Sequence, residues 1–394
     1  MNKEIELIAT ASFGLEAIVA REVKGLGYDD VTVENGKVTF KADLAAIPRL
    51  NLWLRCADRL LLKLGEFEAC SFEELFQGTR ALPWADWIPR DANFPVEGKS
   101  VKSQLFSVPD CQAIVKKAIV EKMKEQYHLQ WFPESGPRYT IEVALLKDIA
   151  TLTIDTSGAG LHKRGYRKLS APAPLKETLA AALIELSYWD TNGATGNYEI
   201  AGYWPFCGSG TIPIEAAMIG LNIAPGLNRQ FAAEKWPIIP TRLWATARDE
   251  AHELIKRGQK LRIRGTDIDK GVLSLARYHA RQAGVSEHIH FQQASISNLR
   301  SSDKYGCIIC NPPYGERLED KVSVEKLYRE MGEVLQALDS WSIYVLTAHQ
   351  KFESLYGRPA DRRRKLYNGR IQCNYYQFYG PRPPQRVNDV AIDK

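Results

Sequence analysis

The chain has 394 residues, more than one hydrophobic core usually serves, so two or three domains are expected. Apolar residues make up 45% and charged residues 25%, which excludes long disorder; no stretch approaches the roughly 18 apolar residues of a membrane span, and Lys3, Glu4 and Glu6 stand where a secretion signal would not have them, so a cytoplasmic protein is expected. A net charge of +5 does not by itself argue for nucleic acid, and seven cysteines, an odd number scattered along the chain, exclude a secreted disulfide framework and read as reduced thiols.

Residues 4–9 alternate as a short strand, 15–26 carry the apolar spacing of a helix, and 31–33 with 37–40 flank Asn35-Gly36 as a hairpin. Helices are expected at 42–54 and 71–77. From Asn93 the pattern changes to a loop, a strand at 101–108, a helix at 111–126 and alternating strands at 139–146 and 149–154. Residues 158–168 mix glycines, four basic side chains and a tyrosine, the composition of an interdomain linker. Prolines at 172 and 174 open a helix at 175–187. Beyond it, strands at 199–204, 262–267, 289–292, 306–310 and 342–347 alternate with helices at 209–219, 271–283 and 324–335. That alternation predicts an α/β fold with a doubly wound parallel sheet covered on both faces. Cys307 and Cys310 form a lone CxxC inside an apolar run, which reads as a buried strand, since no second pair completes a metal site.

Three constellations carry chemistry. Pro205-Phe206-Cys207-Gly208-Ser209-Gly210-Thr211 lies between a strand and a helix, where glycines admit a ligand close to the backbone and the helix start offers unpaired N–H groups; alone it reads equally well as a tight turn. Gly265-Thr266-Asp267-Ile268-Asp269 closes the next strand, with Asp267 the better candidate for ribose hydroxyls and Asp269 a cap for the following helix. Asn311-Pro312-Pro313-Tyr314-Gly315-Glu316-Arg317 follows a buried strand. Its prolines fix a stiff loop at the carboxyl edge of the sheet, where an asparagine amide oxygen and a backbone carbonyl can both accept hydrogen bonds from one NH₂ group and free its lone pair. Tyr314 offers a flat face to a flipped base.

Taken together, PFCGSGT, GTDID and NPPYGER resemble the amino-methyltransferase branch of S-adenosylmethionine enzymes, and NPPYGER followed by Leu318 is similar in particular to ribosomal RNA guanine-N2 methyltransferases, in a form with a single methyltransferase domain. The N-terminal half, ending in GLHKRGYR before APLKETLAAAL, resembles THUMP-containing RNA-modification proteins. The resemblance implies a ferredoxin-like region at 1–70, a THUMP RNA-binding domain at 71–165 and a Rossmann-like methyltransferase domain at 166–394. It implies S-adenosylmethionine against Leu175, Lys176, Thr178, Pro205, Cys207, Gly208, Ser209, Gly210, Thr211, Asp267, Ile268, Ser295 and Asn311, leaving as S-adenosylhomocysteine, with Asn311, Pro312, Pro313 and Tyr314 presenting the amine. No metal is implied. The expected acceptor is guanine N2 in structured RNA, 23S ribosomal RNA of the large subunit; a transfer RNA guanine or an adenine N6 would use the same loop, and the motif does not separate them.

Three features depart from the family pattern. Trp204 stands where an aspartate precedes PFCGSGT, Ser295 stands where an aspartate should face the adenine, and residues 191–203 lack the apolar run of a buried strand. A carboxylate at position 204 would meet the cofactor's amino group, so Trp204→Asp is expected to tighten binding. A non-catalytic RNA-binding or assembly factor that has lost cofactor contacts is the reading these departures favour. The C-terminal stretch holds Arg358, Arg362, Arg363, Arg364, Lys365, Arg370, Arg382 and Arg386 against one acid, Asp361, interleaved with Tyr367, Tyr375, Tyr376, Phe378 and Tyr379. Arg362, Arg363 and Arg364, with Lys163, Arg164 and Arg167 of the linker, are expected at an RNA surface, and about half of the aromatics in a core. No oligomeric state is read from the sequence.

Overall fold

The structure is a computed structural model that describes residues 4–169, 175–189, 201–315 and 318–382. The helix opening at 171–174, the start of the strand expected from Glu199, most of the departure at 191–203, and Glu316, Arg317 and Arg386 lie outside the described residues. The chain divides into two compact units, Met1–Ala11 with Val19–Leu161 and Arg229–Ala251, and Ser12–Ile18 with His162–Asn228 and His252–Lys394.

The first unit contains β1 (Ile5–Thr10), most of α1 (Glu16–Gly25), β2 (Val31–Glu34), β3 (Lys37–Ala42), α2 (Ala46–Trp53), β4 (Arg59–Glu68), α3 (Phe72–Ala81), β5 (Val96–Val101), α4 (Val108–Tyr127), β6 (Ile141–Leu146) and β7 (Ile149–Asp155). Its sheet runs β2-β3-β1-β4-β7-β6-β5. The expected hairpin closes at Glu34↔Lys37, with Gly36 at φ 78° in its turn. Strand β4, absent from the sequence reading, pairs with β7 from Leu61↔Asp155 to Glu68↔Ile149, so residues read as two regions share one continuous sheet. The strand expected at 101–108 is instead β5, at Val96–Val101. Lys102 turns the backbone to φ 52°, and the apolar residues that suggested the strand belong to a loop and to the start of α4. A segment from far along the chain joins this unit: Trp236 stacks on Tyr139 with ring centroids 4.5 Å apart.

The second unit contains α5 (Glu177–Glu185), β8 (Gly202–Pro205), α6 (Thr211–Gly220), the end of α7 (Thr241–Glu253), β9 (Ile263–Asp267), α8 (Lys270–Gln282), β10 (Ile289–Gln293), β11 (Cys307–Cys310), α9 (Leu318–Gln336), β12 (Ser342–Thr347), α10 (Phe352–Tyr356), β13 (Arg362–Asn368) and β14 (Ile371–Phe378). The sheet order is β10-β9-β8-β11-β12-β14-β13. The first five strands in that order are parallel, as the alternation of strands and helices requires. The C-terminal basic stretch is not a tail but an antiparallel hairpin, β13–β14, added beside β12. Tyr375, Tyr376 and Phe378 of β14 are buried, and Tyr376 and Phe378 share a core with Ile308, Tyr328, Val345 and Phe352. Cys307 and Cys310 are buried in β11, as expected of a core strand, and all seven cysteines are free. No helix among the described residues is long and apolar enough to cross a membrane.

Candidate active site

The strand order reverses at β8, whose neighbours are β9 and β11, and open α/β sheets bind ligands where the order reverses, beyond the carboxyl ends of the strands. A cavity of about 640 Å³ lies there, walled by the segments that follow β8, β9, β10 and β11. Leu175, Pro205, Cys207, Gly208, Ser209 and Thr211 line one side, Asp267, Ile268 and Ser295 continue it, and Asn311, Pro312, Pro313 and Tyr314 face it. The turn after β8 is held from three directions. Gly208 donates its N–H to an Asp267 carboxylate oxygen at 3.0 Å, Cys207 donates to the Thr266 carbonyl at 3.0 Å, and the Ser209 carbonyl accepts from His279 Nδ1 at 3.2 Å. A carbonyl can only accept, which fixes the tautomer at Nδ1–H, and burial lowers the imidazole's pKa so that it stays neutral. Phe206 sits at φ 56°, a conformation that a bulky residue adopts only where its surroundings enforce it. A Cβ added to Gly208 would meet nothing within 4 Å, so the peptide presents an open face to the cavity. Burial, and then Asp267, push the Cys207 thiol far above its usual range, so it is no nucleophile.

Asp269 caps α8 as expected, accepting from Gly271 and Val272 N–H groups at 2.7 and 3.2 Å. Asp267 anchors the turn and also accepts from the Asp269 N–H at 3.1 Å, yet each carboxylate oxygen keeps a second lone pair on a wall of the cavity. Ser295 lines the cavity, with its Oγ 2.8 Å from Ser297 Oγ. Three expected residues do not line it. Thr178 is buried within α5, Lys176 starts that helix, and Gly210, at φ 85°, packs against Ala276.

The loop of 311–314, which lines the same cavity, is held by side chains. The Tyr314 hydroxyl donates to Asn311 Oδ1 at 2.5 Å. Burial holds that hydroxyl far above the usual phenol range, so it stays protonated. The Pro313 carbonyl accepts from the Tyr328 hydroxyl at 2.6 Å, and Tyr328 lies 2.8 Å from Thr347 Oγ1. Thr347 in turn accepts the His349 N–H at 3.1 Å, which directs its own proton toward Tyr328. Sequence reasoning missed Tyr328, and it also missed Phe206, Leu327, Asn368 and Ile371, which line the cavity. Asn368 and Ile371 come from the β13–β14 turn, which nothing local marks as part of a site.

Two expected RNA contacts are corrected. Arg164 is buried, with its guanidinium 3.4 Å from Glu215, and Tyr166 donates to the same carboxylate at 3.1 Å. Arg167 donates to Thr211 Oγ1 at 2.5 Å and to the Leu175 carbonyl at 3.0 Å, and it pairs with Glu177 at 3.4 Å. Arg167 braces two residues of the cavity lining; a buried cation needs a partner, and both arginines have theirs within the fold. Lys163, Arg362 and Arg363 are exposed, although Arg363 pairs with Glu353 at 3.2 Å; Arg364 is half-buried. No cluster of metal-ligating side chains occurs among the described residues.

Fold and cavity define a class: an α/β domain with a cavity at the switch point of its parallel strands, lined by a glycine turn and by the loop of Asn311. Comparison with known families agrees. Residues 164–377 match the RMKL-like methyltransferase domain, residues 6–61 the RlmL ferredoxin-like domain and residues 69–155 the THUMP domain. The chain is 50% identical to YpsC of Bacillus subtilis (strain 168), whose name marks it as a candidate RNA methyltransferase, over 98% of each protein. It is 32% identical to the ribosomal RNA large subunit methyltransferase K/L of Syntrophotalea carbinolica, over 96% of this chain and 54% of that one. Among solved structures, SMU.472, complexed with SAH, is 46% identical with a TM-score of 0.90, over 98% of this chain and 100% of that one. A Listeria monocytogenes protein described as a predicted N6-adenine-specific DNA methylase is 53% identical with a TM-score of 0.90, over 96% and 97%. The chain therefore belongs to the RMKL-like methyltransferase family, with a ferredoxin-like segment and a THUMP domain ahead of the methyltransferase domain.

Proposed function

We propose that this protein methylates the exocyclic N2 of a guanine in large-subunit ribosomal RNA, with S-adenosylmethionine as donor. The observation that carries the reading is the Asn311–Pro312 pair of acceptors on one wall of the cavity, opposite a glycine turn with an open face. The name of the K/L relative supports the ribosomal acceptor, and the SAH complex of SMU.472 supports the donor. The donor supplies a sulfonium-bound methyl that needs no further activation. The protein's task is binding and alignment. The turn at 207–211 and the start of α6 receive the carboxylate end of the donor, Asp267 its ribose, and Ile268 and Ser295 its adenine. Asn311 Oδ1 and the Pro312 carbonyl take the two amine hydrogens, which turns the nitrogen lone pair toward the methyl. The proton displaced from nitrogen passes to water, since Asn311 is no base and the Tyr314 hydroxyl stays protonated.

Residues 1–70, 71–165 and 166–394 act in this scheme as ferredoxin-like region, RNA-gripping THUMP domain and catalytic domain, in the cytoplasm. Lys163, Arg362 and Arg363 contact RNA phosphates. The glycine turn and the loop of Asn311 bordering one cavity favour the catalytic reading over the non-catalytic one; Trp204 is not among the lining residues, and Ser295 lines the cavity without a carboxylate. Asn311→Ala tests the reading: transfer should fall by about 10²–10³-fold, the usual cost of a lost group that acts on the reacting atoms, while RNA and S-adenosylhomocysteine binding persist. Equal loss of binding and turnover would contradict it.

A further inference from the structure

Tyr314 turns its hydroxyl onto Asn311 Oδ1, the very acceptor that an amine needs. The side chains of Asn368 and Cys373, from the β13–β14 hairpin, face the same hydroxyl. Asn311, Tyr314 and Asn368 line one cavity, so two carboxamides border the space beside this ring. Asn368 also lines the cavity, as does Ile371, whose pairing with Asn368 closes the turn over Gly369 and Arg370. Gly369 takes the left-handed position of that turn at φ 63°, and Asn368 does not, so the turn itself does not call for asparagine.

We propose that Asn368 reads the acceptor base beside Asn311 and is the residue that selects guanine. The inference rests on the guanine-N2 reading above. The Tyr314 hydroxyl holds the place of the base edge; when the ring turns to stack on a flipped base, both carboxamides are uncovered together. Asn311 then takes the amine. The Asn368 oxygen accepts the N1–H of guanine, and its NH₂ group donates to O6, which uses both functions of one amide. Adenine held by its N6 amine would present a bare N1 acceptor and a C–H, leaving the amide oxygen unpaired. An unmet buried polar group of this kind corresponds to about 10–100-fold discrimination.

The test uses the full-length protein, total RNA from cells deleted for its gene, and mass spectrometry of the methylated nucleosides. Wild type is expected to form N2-methylguanosine. Asn368→Ala should slow that product at least tenfold and raise the ratio of N6-methyladenosine to N2-methylguanosine, with S-adenosylhomocysteine affinity by calorimetry unchanged. Asn368→Asp, which keeps size and the N1–H acceptor but repels O6, should be slowed as well. N2-methylguanosine formed by Asn368→Ala within twofold of wild type overturns the inference and leaves the guanine reading standing. Loss of S-adenosylhomocysteine binding in both variants also overturns it, since Asn368 would then be structural. N6-methyladenosine from wild type overturns the guanine reading, and the selection by Asn368 with it.

Discussion

The glycine turn that lines the cavity is held at its backbone, whereas the loop of Asn311 is held by the hydroxyls of Tyr314 and Tyr328. At the glycine turn, Asp267, Thr266 and His279 act on the main chain of residues 207–209. Facing it, Asn311 is met by Tyr314, and the Pro313 carbonyl is fixed by Tyr328, itself braced on Thr347. A wall of pinned peptide is rigid before a ligand arrives and suits a donor that always has the same shape. A wall of hydroxyls and amides can exchange partners, which an acceptor base must force. Under the proposed function, affinity for donor and selection of acceptor are therefore expected to be separable in this cavity.

The largest expected effect concerns what lies behind the backbone wall. Trp204 is fully buried in β8, its ring 5.7 Å from that of Trp189, and it is absent from the cavity lining. The expectation that Trp204→Asp would tighten donor binding is therefore withdrawn. Replacing a buried tryptophan costs about 3–5 kcal/mol, and an unpaired carboxylate in its place adds to that. Trp204→Asp should thus be strongly destabilised in urea unfolding; unchanged stability with tighter S-adenosylhomocysteine binding would return position 204 to the cavity. Next in size is Asp267→Ala, which removes the anchor of Gly208 and a wall carboxylate together. Donor affinity should drop by about 10–150-fold, or about 1.5–3 kcal/mol, with turnover at saturating donor little changed. A fall in turnover with affinity intact would blur the two walls. The smallest effect belongs to Tyr328→Phe, which removes one hydroxyl and keeps the ring in the core. Turnover should fall about fivefold, in line with a lost hydrogen bond of about 1 kcal/mol, with donor affinity unmoved. Weaker donor binding in this variant would mean that the walls are coupled.

The glycine turn was legible because its residues, 205–211, are contiguous in sequence. Gly208 and Gly210 announce the turn, and Asp267 closes a strand of ordinary pattern. The side-chain wall was legible only at the loop of 311–314. Tyr328 looks like any apolar position of α9, and Asn368 like part of a basic stretch, because their meaning depends on strand order in a sheet completed by an antiparallel hairpin. Arg164 misled for a similar reason. Among lysines and glycines it reads as a surface cation, yet its partner, Glu215, lies 51 residues away on a helix buried along most of its length. In the first unit, β4 was missed although Leu60, Leu61 and Leu62 are buried, since a run of leucines carries no alternation.

The proposed reaction is methylation of guanine N2 by S-adenosylmethionine, with the amine presented by the loop of Asn311. Its most direct measurement is the identity of the nucleoside formed when wild-type protein, S-adenosylmethionine and large-subunit ribosomal RNA from the deletion strain are incubated together, digested and resolved by mass spectrometry. N2-methylguanosine is expected to appear with wild type and not with Asn311→Ala. N6-methyladenosine instead, or N2-methylguanosine formed equally by both proteins, would contradict it.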